Sequence, residues 1–167
     1  MNRDRPQTLV LSPDADMPNS RLPVLIYRAV FADRSSGSVE TFDDLFAANG
    51  WRGIWRDGVY DYHHFHSNAH EVLGVAAGSA EIQLGGESGK AVRVEAGDAV
   101  LLPAGTGHKR LSRSENFLVV GAYPPGQEHY DLCRTRSPEA ELRISKTPSP
   151  RTDPVQGANG PMLDLWR

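Results

Sequence analysis

The stretch YDYHHFHSNAHE, Tyr60–Glu71, holds four of the chain's six histidines and ends on an acid. Side chains on a strand alternate between faces. If RDGVYDYHHFH runs as a strand, Tyr60, Tyr62, His64 and His66 share one face. Asp61, His63 and Phe65 then share the other. His64 and His66 stand about 7 Å apart along the chain, one pleat repeat, close enough to share an ion. The polar SNAH must turn the chain, and Glu71, opening the apolar run EVLGVA, can project back beside the pair. His70, its neighbour, competes for the same place. Downstream, LLPAGTGHKRLS reads as a strand, a Pro/Gly turn and a new strand beginning at His108. Three imidazoles and one carboxylate suit a borderline divalent transition ion. The competing reading is a run of surface histidines.

The residues around this stretch point to a mostly β chain. Gly (16) and Pro (12) are plentiful among 167 residues, which favours a turn-rich architecture. Strands are expected near 54–65, 70–77, 79–84, 90–95, 99–102, 108–113 and 116–123. Turns fall at GG 85–86, EAGD 95–98, PAGTG 103–107 and SRSEN 112–116. Short strands at this spacing predict an antiparallel sandwich or barrel. Upstream, TLVLS predicts a short strand and LPVLIYRAVF, Leu22–Phe31, a buried one. SVETFDDLFAANG predicts a helix near 38–48, capped by Ser38 and ended by Gly50. Its buried stripe is Val39, Phe42, Leu45 and Phe46. SPEAELRIS can form one short helix, and the Pro-rich remainder reads as an extended arm. That arm is anchored by Met162, Leu163, Leu165 and Trp166, on the barrel or on a second subunit. One domain, 1–167, is expected: a barrel core at about 51–125, an N-terminal arm, strand and helix at 1–50, and a C-terminal arm at 126–167.

Composition narrows the function classes. The net charge is −3 with both signs interspersed, which gives no electrostatic footprint for nucleic acid or an anionic membrane. No segment approaches the roughly 18 apolar residues of a membrane span. The N-terminus lacks the apolar core of a secretory signal. Cys133 is the single cysteine, so no internal disulfide forms and a reducing compartment is the default. A cytoplasmic location is expected.

The motif spacing resembles the cupin superfamily. The first cupin motif, G-x5-H-x-H-x3,4-E-x6-G, reads here as Gly58, His64, His66, Glu71 and Gly78. The second, G-x5-P-x-G-x2-H-x3-N, reads as Gly97, Pro103, Gly105 and His108, with Ser112 in place of the final Asn. The flanks GW…WRDGVYDYHHFHSNAHEVLGV and YPPGQ are similar to a group of small single-domain bacterial cupins, the YjlB-like group. The resemblance implies a double-stranded β-helix, or jelly-roll barrel, with extended terminal arms. It implies His64, His66, Glu71 and His108 as ligands of one divalent transition metal: Fe(II), Mn(II), Ni(II) or Zn(II). The six-residue gap to Gly78 favours Glu71 over His70. Tyr60, Tyr62 and Arg110 share the ligand faces and are candidates to donate protons or to hold a carboxylate. Arg56 is a weaker candidate. His63 and Lys109 face away, and His129 sits on a loop.

Two functions of different class follow. One is a metal-dependent enzyme on a small oxygenated or carboxylated molecule, with dioxygenase-like chemistry favoured over an isomerase or epimerase. The other is a small-molecule-binding or sensing module without turnover. The terminal arms suggest a homodimer that exchanges segments. No nucleic-acid or membrane partner is expected.

Overall fold

The computed structural model describes residues 3–31 and 39–167. Among the described residues, nine strands fall into two antiparallel sheets. They are β1 (Gln7–Leu9), β2 (Val24–Tyr27), β3 (Arg52–Asp57), β4 (Glu71–Ala77), β5 (Ser79–Leu84), β6 (Lys90–Glu95), β7 (Ala99–Leu102), β8 (His108–Arg113) and β9 (Leu118–Tyr123). One sheet has the order β1-β2-β7-β4-β9-β3, the other β6-β5-β8. With the barrel-like packing of these sheets, the chain has the all-β fold of a double-stranded β-helix.

The six-stranded sheet is covered on both faces, so its central strands read as unbroken apolar runs. On β4, Leu73 and Val75 face the small sheet, where they meet Ile82, Leu84, Val92 and Val94. Val72 and Ala76 face outward against helix α1 (Val39–Ala48) and the end of the chain. Phe42 and Phe46 of α1 are fully buried there. Gly74 makes room for them: a Cβ at that position would lie 2.5 Å from the Phe42 ring. The helix ends as expected. Trp51 N–H donates to Phe46 O at 2.9 Å and Gly50 N–H to Ala47 O at 3.0 Å, with Gly50 at φ +83°. This is a Schellman closure. Ser38, the expected cap, lies outside the described residues, as does the side chain of Val39.

Three expectations need correction. The strand expected at 54–65 is β3, ending at Asp57, whose Oδ1 accepts the Gly58 N–H at 2.7 Å. Residues 58–63 form a loop, and pairing resumes only as single bridges, His64 to His108 and Phe65 to Cys133. The strand expected at Leu22–Phe31 is only Val24–Tyr27, because Ala29 turns to φ +46° and its N–H binds Asp98 Oδ1 at 3.0 Å. The C-terminal segment is not an extended arm. After helix α2 (Pro138–Lys146), capped by Ser137 Oγ accepting from Ala140 N–H, it folds back into a turn of helix, α3 (Met162–Leu165).

Asp153 organises this return. Its buried carboxylate accepts from the Tyr27 hydroxyl at 2.7 Å and from the N–H groups of Val155, Gln156 and Met162. Met162 and Trp166 join the outer core, and Trp166 Nε1 donates to Pro23 O at 2.8 Å. The segment docks on its own barrel, one of the two places expected for its anchors. No helix among the described residues is long and apolar enough to cross a membrane.

Candidate metal centre

Three local devices bring the candidate ligands together. The segment 64–66 lies along the free edge of β8: His64 and His108 exchange backbone hydrogen bonds, and Gly105 N–H donates to His66 O at 2.8 Å. The register of β8 on β5 pairs His108 with Leu84 and Arg110 with Ile82, both inward-facing. Glu71 is the first residue of β4, on the same face as Leu73 and Val75. His64, His66 and His108 are buried, and each offers a nitrogen within 4.8 Å of the others'. Glu71 Oε2 lies 3.3 Å from Nε2 of both His66 and His108.

The hydrogen bonds fix which nitrogen each imidazole presents. His64 Nδ1 meets Tyr62 O at 3.0 Å, His66 Nδ1 meets Asp131 O at 2.5 Å, and His108 Nδ1 meets Thr106 O at 3.0 Å. A carbonyl only accepts, so each Nδ1 carries its proton. Three Nε2 lone pairs are then left facing inward, beside a carboxylate oxygen that is buried without a hydrogen-bond partner. Lone pairs do not satisfy one another; a cation satisfies all four at once. The backbone carbonyls are the outer contacts that orient metal-binding imidazoles.

Electrostatics agree. Burial pushes His64 down to about 3, with the neighbouring His108 adding to the fall, so His64 is a neutral donor. Burial opposes ionisation of Glu71, but His66 and His108 beside it outweigh that and hold the carboxyl well below its usual range. His66 is raised: burial lowers it and Glu71 more than compensates. That raised value answers the Glu71 charge with a proton, a role that a divalent ion fills instead.

The remaining candidates separate. His70 points away: its Nδ1 accepts from Ala104 N–H at 2.9 Å and its ring packs 4.9 Å from Trp166. His63 meets Glu87 at 2.8 Å beside Lys109, outside the metal cavity. His129 is exposed. Tyr60 lines the cavity, stacked on Tyr62 with ring centroids 4.9 Å apart. The Tyr62 ring lies outside the cavity, under Arg134 at 4.2 Å, and it is the Tyr62 carbonyl that holds His64. Arg110 lines the cavity and spends only Nε on the protein, donating to Val59 O at 3.1 Å. No carboxylate among the described residues pairs with it. Arg56, also on the wall, is paired with Asp43.

The cavity has a volume of about 680 Å³ and opens at one end of the barrel. Aliphatic side chains and Phe117 fill the adjoining space between the sheets, leaving only about 20 Å³. Sequence reasoning missed the partners that lie outside the motifs. Tyr123 donates to Glu71 Oε1 at 2.8 Å, and Trp55 Nε1 donates to Tyr123 at 2.7 Å. Tyr130 stacks on Tyr123 and meets His66 edge-on at 4.9 Å. Asp131 holds Ser67 N–H at 2.7 Å, which sets the carbonyl that receives His66. The only signal for Tyr123 was its place before PPGQ, which marks a chain reversal and not a contact.

The Cupin domain model matches residues 55–120. The Bacillus subtilis (strain 168) protein "Uncharacterized protein YjlB" is 40% identical over 165 residues, covering 96% of each chain. Among solved structures, a Klebsiella pneumoniae protein with a double-stranded β-helix domain is 15% identical, with 82% of this chain and 84% of that chain covered and a TM-score of 0.40. A Bacillus anthracis acireductone dioxygenase with cadmium in its active centre is 16% identical, with 60% and 76% covered and a TM-score of 0.37. On its motifs, its fold and its full-length relative, the chain belongs to the cupin family, among the small bacterial cupins similar to YjlB.

Proposed function

We propose that the chain is a single-domain metal-dependent cupin acting in the cytoplasm, which binds and transforms a small oxygenated carboxylate. His64, His66, Glu71 and His108 would hold one divalent ion of the iron, manganese, nickel or zinc type. The observation that carries this reading is the convergence of three Nε2 lone pairs on a carboxylate oxygen without a partner. A bound ion of this kind supplies Lewis acidity and, as iron, dioxygen chemistry, which we favour.

The protein's own groups have separable tasks. Arg110 keeps its terminal nitrogens for a ligand, and its fork suits a carboxylate held by two parallel hydrogen bonds. Its Cα lies about 7 Å along β8 from that of His108. A ligand anchored at Arg110 would share the cavity with the imidazoles of His64, His66 and His108. Tyr60, at the cavity wall, would give or take a proton at its hydroxyl. The aliphatic side chains packed beside the site would keep water from its inner side.

Metal analysis of protein purified without added metal, followed by oxygen uptake on a panel of hydroxy- and oxo-carboxylates, tests the proposal. Iron and carboxylate-dependent oxygen uptake support it. Metal with saturable ligand binding but no turnover assigns the chain to the sensing class. Failure to take up any of the divalent ions refutes it.

A further inference from the structure

The hydrogen bonds around Glu71 have a direction. Trp55 Nε1 lies 2.7 Å from the Tyr123 hydroxyl, which lies 2.8 Å from Glu71 Oε1. An indole N–H only donates. The Tyr123 oxygen must therefore accept on that side, and its single proton is left for Glu71 Oε1. Nothing in the relay can rotate freely. Trp55 pairs with Gly121 across β3 and β9, and its indole lies so close that a Cβ on Gly121 would come within 2.1 Å of it. Tyr123 is 1% exposed, with Tyr130 stacked on it at a centroid distance of 4.4 Å and 21° between the rings.

We propose that Tyr123, aimed by Trp55, is a positioning residue that occupies one oxygen of Glu71 and leaves Oε2 as the only oxygen offered to the metal. The consequence is a site that keeps a coordination position for its small-molecule ligand. Without the relay, Oε1 is free to turn inward and take that position. The inference rests on the proposed metal site. It also explains why one carboxylate oxygen is bonded and the other, equally buried, is not.

Cobalt(II) titration of metal-free protein, followed by visible absorption, tests it. In Tyr123→Phe the affinity should fall by about 10- to 100-fold, as for other outer contacts of metal ligands. The cobalt bands should also weaken as the second Glu71 oxygen joins the coordination shell. Trp55→Phe should move both quantities in the same direction by less, because Tyr123 can then direct its proton elsewhere. Tyr123→Phe that folds with the wild-type affinity and spectrum overturns the proposal, even if its stability falls, since Tyr123 would then be packing alone. If Tyr123→Phe does not fold, unchanged affinity and spectrum in Trp55→Phe overturn it instead. Wild-type protein that binds no cobalt sinks the metal site itself, a different outcome from bound cobalt with an unchanged variant.

Discussion

At the scale of single residues, the site is decided by which nitrogen of each histidine is already spent. His64, His66 and His108 each give Nδ1 to a carbonyl, whereas His70 gives its Nδ1 to accept from Ala104 N–H. The two kinds of histidine sit within one short stretch, and alternation in the sequence separates His63 from His64 and His66. It does not separate His70 from Glu71; motif spacing does. The carbonyls of Tyr62, Thr106 and Asp131 were not legible, because a backbone acceptor carries no residue signature. His66→Ala should lose most of the bound metal while remaining folded; full stoichiometry by elemental analysis would exclude His66 as a ligand. His70 makes a separate pH prediction. Burial pushes it down to about 4, below its free value of 6.5. The unfolded chain then binds the extra proton, so stability is intact above about pH 6.5 and is lost as pH falls towards 4. Between pH 7 and pH 5 this contributes a loss of about 2 kcal/mol. Denaturation of metal-free His70→Gln at the two pH values should show a correspondingly smaller loss than wild type; an equal loss would show that His70 is not the titrating group.

At the scale of elements, the sequence read well where burial is periodic and poorly where a strand must stop. The strands β4 to β9 lie close to their expected places because apolar runs and Pro/Gly turns alternate along that stretch. The expected 54–65 strand ran on past Asp57 because the residues of the loop, Val59 and the tyrosines, are themselves good strand formers. The stop is made by geometry: the chain leaves β9 and crosses to the edge of β8, a change of partner that no local pattern records. The helix α1 was legible for the opposite reason, its apolar stripe and terminal glycine both being local. Its docking on Gly74 was not, since the contact joins two elements distant in sequence. Gly74→Ala should push the added methyl into the Phe42 ring and cost about 1–3 kcal/mol, as overpacking does. Urea denaturation measures this, and an unchanged midpoint would mean that α1 is not held against β4.

At the scale of the whole molecule, a barrel holding one large cavity is backed by its own C-terminal segment. The anchors Met162 and Trp166 were legible as apolar residues in a polar tail; the clip that returns them was not. Asp153 looks like any loop acid until its four donors are seen together. Asp153→Ala leaves buried N–H and O–H groups without an acceptor, each worth about 1–3 kcal/mol, so destabilisation of at least about 3 kcal/mol is expected. Cleavage within 154–167 by a low dose of protease should speed up in step; a variant as stable and resistant as wild type would remove Asp153 as the clip. Metal should tie the barrel together further, because an ion that binds only the folded chain adds about 4 kcal/mol at a thousand times its Kd. The most direct test of the metal centre is X-ray absorption at the metal edge of the reconstituted protein. One equivalent of metal with imidazole scattering from three histidines is expected, falling by one imidazole in His108→Ala. A metal-free protein, or a metal whose scattering is the same in His108→Ala, would contradict it.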